Sequence, residues 1–484
     1  MKKIYAIIIW VLALLPLLSA QDAEYRLIRH TYRVNADGSM DYTFRKELKL
    51  LRNRSFAAYG ETYIPYNPAF ETLTIKEAYT IRQDGSRVAT PDNAFVPQLP
   101  ARCLNCARFS GIREMVVVHT ALEYDAVSVL EYTIHRNSPV LEASIQLQQD
   151  CPVQRFEIIV DLPQSQTLDV RYSTPLEGYN HPVSLADDHT YHITATNLKP
   201  TVIDSYLPAA KFLYNIVTLS NGQKPALNTA LTTIPQAETL LQELRKDDLA
   251  AYAVALRNYV ADYIRTNAVE PALLQYAVAP SDQVWASGCG TLEDKALLLA
   301  SLLAQAGFSV HMDADNPLAV DVVLDGMEQQ LRINDKRQPR PLGVALDEMR
   351  HLQVQKTLEW KADELADGYY RVTLPVEDKA LNVSAAGLTS VRTAPVQVRQ
   401  CEEVYDYTLQ LPKGYSLVGG KVKKSLSVKG LGQVDIQIKQ SGRKLTISRK
   451  LVLEKDIVMP QDYTSFLKLM QLWSQYRELY VKAR

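Results

Sequence analysis

Gly290-Thr291-Leu292-Glu293-Asp294-Lys295-Ala296-Leu297-Leu298-Leu299 decides how the middle of this 484-residue chain is read. Thr291 is placed to cap a helix, and Asp294 three residues on gives a capping-box-like start. Ala296 to Ala306 is almost wholly apolar, so the helix is buried, and Gly307 is its stop. Upstream, Ala237 to Leu249 and Ala250 to Thr266 read as helices. Tyr252, Leu256, Tyr259, Val260, Tyr263 and Ile264 recur at helical spacing and form one apolar face. A loop with Pro271, Pro280, Gly288 and Gly290 leads into the buried helix. Downstream, Leu318–Leu324 and Met327–Ile333 flank Asp325-Gly326 as two strands. Helices followed by antiparallel strands make this segment α+β.

Both flanks read as strands. Tyr25–Asn35 and Met40–Leu50 surround an Asp37-Gly38 turn, and Leu73–Ile81 and Arg87-Val88 surround Asp84-Gly85. Met115–Leu122 and Val127–Ile134 are expected to form a third pair, with Phe156–Leu162 and Thr190–Thr194 beyond. Regular short strands predict an N-terminal β-sandwich. After residue 350 the strands are Leu352–Trp360, Tyr369–Leu374, Val404–Leu411, Leu417–Gly419, Gln433–Gln440 and Lys444–Leu453. They predict a second, smaller sandwich, closed by a helix over Tyr463–Leu479. The fold class is therefore multidomain α+β.

Composition narrows the function classes. The chain is 47% hydrophobic and 22% charged, which excludes a disordered chain, a collagen-like fibre and a small disulfide scaffold. With 53 basic against 54 acidic residues there is no basic field to hold a nucleic acid. The 27 Tyr against 9 Phe suit half-exposed sheets. Lys2 and Lys3, the apolar run Ile4–Leu18 and the small-residue site Leu18-Ser19-Ala20 read as an export signal, with Gln21 starting the mature chain. No later run has the ~18 apolar residues of a membrane span. The expected location is periplasmic or secreted, without membrane insertion after cleavage. Expected boundaries are 1–20 for the signal, 21–230 and 349–484 for the sandwiches, and 231–348 for the middle domain.

Five cysteines remain: Cys103, Cys106, Cys151, Cys289 and Cys401. An exported chain can form disulfides, and the odd count leaves one thiol over. Cys103-Leu104-Asn105-Cys106 is a CxxC with no second CxxC or HxxxH to complete a zinc site, so a local disulfide or two free thiols is expected. His181, His189 and His192 lie close in sequence, beside a turn at Asp187-Asp188, and are weighed as metal ligands on spacing alone. No metal or cofactor is expected.

The middle segment resembles the transglutaminase-like superfamily of papain-fold enzymes. The carrying residues are Gly290 to Leu299, Leu302-Leu303, Ala306-Gly307-Phe308 and the preceding Tyr259 to Asn267 helix. The family pattern is Gly-x-Cys-x-Asp-Lys-Ala, an apolar helix and an Ala-Gly stop. The flanks resemble β-rich domains of unassigned function that bracket this module in exported proteins of Gram-negative bacteria. Tyr66-Asn67-Pro68, Ala78-Tyr79-Thr80 and Met115-Val116-Val117 carry this in the N-terminal flank, and Tyr405–Pro412, Arg449–Val452 and Tyr463–Trp473 in the C-terminal one.

The resemblance implies a thiolate at the tip of the buried helix, a His on a neighbouring strand and an Asp or Asn to orient it. In this sequence Leu292 holds the nucleophile position, Pro317 the His position, and Asn334, beside Asp335, the third. Leu carries no ionisable group, and losing a triad nucleophile costs about 10^6-fold in kcat. The substitutes weighed are Cys289 as nucleophile, with His311 or His351 as base and Asp335 as orienter. The reading favoured is a non-catalytic relative that binds a peptide, protein or envelope polymer in the inherited cleft. A cysteine peptidase or amidase using Cys289, and a structural envelope scaffold, are the alternatives.

Overall fold

The computed structural model describes residues 21–187, 190–223, 228–312, 318–333, 340–341, 350–375, 383 and 387–483. The expected export signal, residues 1–20, lies outside them. Among the described residues no helix is long and apolar enough to cross a membrane. The chain is multidomain and β-rich and forms two compact units. One runs to Thr201 and resumes over Tyr214–Val344; the other joins Val202–Leu213 to Ala345–Arg484.

The first unit opens with β1 (Ala23–Val34), β2 (Met40–Leu50), β3 (Glu61–Tyr66), β4 (Glu71–Ile81), β5 (Arg87–Ala89) and β6 (Phe95–Gln98). It continues with β7 (Arg113–Val118), β8 (Val127–Arg136), β9 (Glu142–Gln146), β10 (Val153–Asp161) and β11 (Asp169–Tyr172). β12 (Ser184–Asp187), β13 (Thr190–Leu198) and β14 (Ile216–Ser220) complete this part. An eight-stranded sheet has the order β12-β13-β10-β1-β2-β8-β4-β5, and two three-stranded sheets have the orders β11-β14-β9 and β3-β7-β6. The first small sheet packs on the large one through Ile28, Phe156, Ile158, Ile145 and Val217. The second packs through Ile64, Val117, Leu130 and Ile134.

The β1–β2 and β4–β5 hairpins form as the Asp-Gly turns predict. The expected β7–β8 pair does not. β7 pairs with β3 and β6, while β8 pairs with β2 and β4. The connection from His119 to Ala126 is longer than a tight hairpin loop, and with Ala121 and Asp125 left-handed it carries the chain from one sheet to the other.

The helical part contains α1 (Glu238–Leu244), α2 (Leu249–Tyr263), α3 (Ser281–Ser287) and α4 (Leu292–Gln305). Asp248 caps α2 by accepting from the Ala251 N–H at 3.1 Å. α4 is buried along nearly its whole length. Leu298, Leu299, Leu302 and Leu303 meet Tyr252, Leu256 and Val260 of α2 and the strands that follow. Two short strands, β15 (Arg265–Thr266) and β16 (Cys289–Gly290), lie among the helices, and the strands that follow α4 are β17 (Val310–Met312), β18 (Ala319–Leu324), β19 (Met327–Arg332) and β20 (Arg340–Pro341), paired in sequence order.

In the second unit a five-stranded sheet carries Cys401–Gln410, Gly432–Ser441 and Lys444–Leu453 at its centre. Helix α5 (Tyr463–Ser474) buries Phe466, Leu469, Met470 and Trp473 in that unit's core. The helix is shorter than the sequence suggests. Tyr476 is left-handed (φ 56°), and Glu478–Ala483 becomes a strand that buries Leu479 and Val481 by alternation.

Candidate functional site

The helix tip forms as its local sequence dictates. Gly288 ends α3 in the left-handed region (φ 62°), where glycine carries no Cβ penalty. Cys289-Gly290 then pairs in parallel with Arg265-Thr266. A Cβ on Gly290 would stand 2.8 Å from the Asp294 Cβ, so this position requires glycine. Thr291 Oγ1 accepts from the Asp294 N–H at 3.2 Å, and Asp294 Oδ2 accepts from the Thr291 N–H at 2.8 Å. The capping box is complete.

Asp294 and Lys295 are both spent on structure. The Asp294 carboxylate is wholly buried. It accepts from the Ala279 N–H at 2.7 Å and pairs with the Arg108 guanidinium. Lys295 Nζ donates to the Ile264 carbonyl at 2.6 Å, the Ala261 carbonyl at 3.0 Å and Thr266 Oγ1 at 2.9 Å. A cation there answers the unsatisfied carbonyls at the end of α2. Burial lowers the Lys295 pKa, with Asp262 pulling the other way.

Leu292, in the position the resemblance gives to the nucleophile, is the first residue of α4 and packs half-buried against the helical core. Cys289 is removed as a substitute, because its Sγ is bonded to Cys106 with the Cα atoms 6.1 Å apart. A disulfide sulfur has no thiolate to offer as nucleophile. This also corrects the expectation for the CxxC: Cys106 pairs across 183 residues, and Cys103 is a buried free thiol. Burial raises the Cys103 pKa and pushes Cys151 and Cys401 to about 12.

The disulfide ties the loop before β7 to the helix tip. Cys103, Cys106, Phe109 and Ile112 form one apolar cluster with Val269, Leu273 and Cys289. Asn267 Nδ2 donates to the Arg102 carbonyl at 2.6 Å, and the Arg265 guanidinium donates to the Asn105 carbonyl. Sequence reasoning missed this clamp. Nothing local couples residues so far apart, although an exported chain with paired cysteines is the general signal for one.

His311 is exposed on β17, opposite Asp321. Pro317, Asn334 and Asp335 lie outside the described residues. His351 is spent on Glu402 at 3.1 Å. His181 holds Asn215 through its backbone, His192 lies 3.7 Å from Glu157, and His189 is outside the described residues. Among the described residues no three His, Cys, Asp or Glu side chains gather as metal donors would.

Residues 36–202 match the family model of a domain of unknown function, DUF3857. Residues 370–479 match a second, DUF3858. The chain also matches the crystal structure of a "putative protease" from Parabacteroides distasonis. They share 23% identity over 95% of this chain and 99% of that one, with a TM-score of 0.75. At that identity the likeness shows a shared fold. No curated protein matches the chain.

Proposed function

We propose that the chain is an exported, non-catalytic member of the transglutaminase-like superfamily that holds a peptide, protein or envelope polymer. Its parts would be a signal over 1–20, sandwiches over 21–230 and 349–484, and a transglutaminase-like domain over 231–348. The observation that carries this reading is the state of sulfur and hydrocarbon at the helix tip. Leu292 stands where a thiolate would act, and the nearest cysteine is oxidised. The other thiols are buried and held protonated. The fold shared with a protein described as a protease supports common architecture, and activity does not follow from fold.

The test is alkylation of the folded, unreduced mature chain by iodoacetamide near neutral pH, beside an amidase assay on labelled casein. The expected result is no rapid labelling of any cysteine and no cleavage. Rapid labelling of Cys289, with a cleavage activity lost in Cys289→Ser, would establish the cysteine peptidase instead.

A further inference from the structure

Strand β9 is the edge of its three-stranded sheet: β14 pairs on one side, and no strand among the described residues pairs on the other. The parity of its backbone is fixed at both ends. The Leu147 N–H donates to the Asn215 carbonyl at 2.9 Å, and the Asn221 N–H donates to the Leu141 carbonyl at 3.2 Å. Leu141, Ala143, Ile145 and Leu147 therefore turn their amides toward β14, and Glu142, Ser144 and Gln146 turn theirs away. Two of the outward carbonyls have side-chain donors, Tyr276 Oη to Glu142 at 3.3 Å and Gln149 Nε2 to Gln146 at 3.0 Å. Ser144 between them presents both its N–H and its C=O.

That edge borders a cavity of about 780 Å³, open to solvent and lined by every residue from Val140 to Gln146. The facing wall is aromatic: His30, Tyr32, Tyr42 and Phe44 project from β1 and β2. Their rings pack on one another, with centroids 4.9 Å apart for Tyr32–Tyr42 and 5.1 Å for His30–Phe44. Protein interiors rarely leave voids larger than a water. Here His30, Tyr42 and Phe44 point between the sheets and still keep accessible surface. Glu142 and Glu270 stand at the rim, the latter 3.6 Å from Arg102, and Arg136, which also lines the cavity, is held by buried Glu71. Tyr276, which also lines the cavity, and Gln275 before it are left-handed at φ 60° and 50°, a conformation non-glycine residues rarely adopt.

We propose that this slot receives an extended segment of a partner protein, added as a strand to the free edge of β9 with alternate aromatic side chains in the cavity. Backbone groups repeating at strand spacing recognise main chain, and a pocket beside them selects alternate side chains. A compact small molecule would use the cavity and leave the Ser144 amide unanswered. The acidic rim favours a segment with basic flanks.

The probe is a fluorescent, end-blocked heptapeptide Lys-Thr-Tyr-Thr-Phe-Thr-Lys, titrated with the full mature chain. Two N-methylated forms accompany it, one blocked at the Thr amides and one at the Tyr and Phe amides. Successive residues of a strand face opposite edges, so one form should lose binding and the other keep it. Ser144→Pro removes an outward N–H, and proline is tolerated on an edge strand whose N–H faces away from the sheet. It should weaken binding roughly tenfold with an unchanged melting temperature, while Ser144→Ala binds normally. Equal effects of the two methylations, no effect of Ser144→Pro, or no binding up to about 1 mM peptide overturns the proposal. Binding of anilinonaphthalene sulfonate in the cavity without binding of the peptide also overturns it, leaving a small-molecule pocket.

Discussion

Asp294 closes a capping box, takes the Ala279 amide and neutralises Arg108, all with no exposure to solvent. Asp294→Ala removes the cap and strands a partly buried guanidinium, so it should cost about 3 kcal/mol in a denaturant titration. A loss under 1 kcal/mol would mean that Arg108 finds water instead. The cap was legible in the sequence, because Thr291 and Asp294 are one helical turn apart. Arg108 was not, since its partner is set by tertiary packing. His30 makes a second residue-scale prediction. Burial lowers its pKa from 6.5 to about 4. Between those values the unfolded chain binds a proton that the folded chain refuses. The stabilisation is complete above pH 6.5 and is lost as pH falls toward 4. The loss should be about 2 kcal/mol, less than the whole shift implies because the ring keeps surface toward the cavity. Measured from neutral pH to about pH 4, the native chain should lose about 2 kcal/mol of stability relative to His30→Phe, whose side chain does not titrate. Parallel curves would refute the neutral, buried imidazole.

At the scale of elements the Cys106–Cys289 bond links the loop before β7 to the entrance of α4. Cross-linking residues 183 apart constrains the unfolded chain strongly, so Cys106→Ser or Cys289→Ser should each cost about 5 kcal/mol on the chain-entropy account. The double variant should cost no more than either single one, because one bond is lost in all three. Thermal melts with and without reductant check this, and an additive double variant would mean the thiols pack independently. Local patterns predicted most elements well: the β1–β2 turn, the start of α4 and its Gly307 stop all depend on near neighbours. The failures needed information from afar. β7 and β8 look like a hairpin in sequence, yet each finds better partners in a different sheet. The final helix continues its apolar pattern past Ser474, but a left-handed Tyr476 turns Leu479 and Val481 into a strand. The edge of β9 and its aromatic wall had a sequence trace in His30, Tyr32, Tyr42 and Phe44, which alternate onto one face of β1 and β2. Alternation cannot say whether that face meets a filled core or a cavity.

At the scale of the molecule the second unit is not continuous in sequence, because Val202–Leu213 belongs to it. The contacts explain why. The Gln397 N–H donates to the Tyr206 carbonyl at 2.7 Å, and a Cβ on Gly387 would stand 2.9 Å from the Tyr206 hydroxyl. The Arg392 side chain has no exposed surface. It pairs with Asp204 at 2.9 Å and also donates to the Ser205, Ala394 and Pro395 carbonyls. A fragment beginning at residue 345 would keep the cation and lose its carboxylate, leaving a buried charge unpaired. Such a loss costs about 3–5 kcal/mol, a large part of a domain's stability. The fragment 345–484 should therefore unfold at much lower denaturant than the same fragment with residues 202–213 joined to its start by a Gly-Ser linker. Asp204→Ala in the linked fragment should undo most of the gain. Arg392→Met should recover part of it, because an apolar side chain removes the unpaired charge along with its partner's absence. Equal midpoints for the bare and linked fragments would show that residues 202–213 ride on the second unit without holding it together.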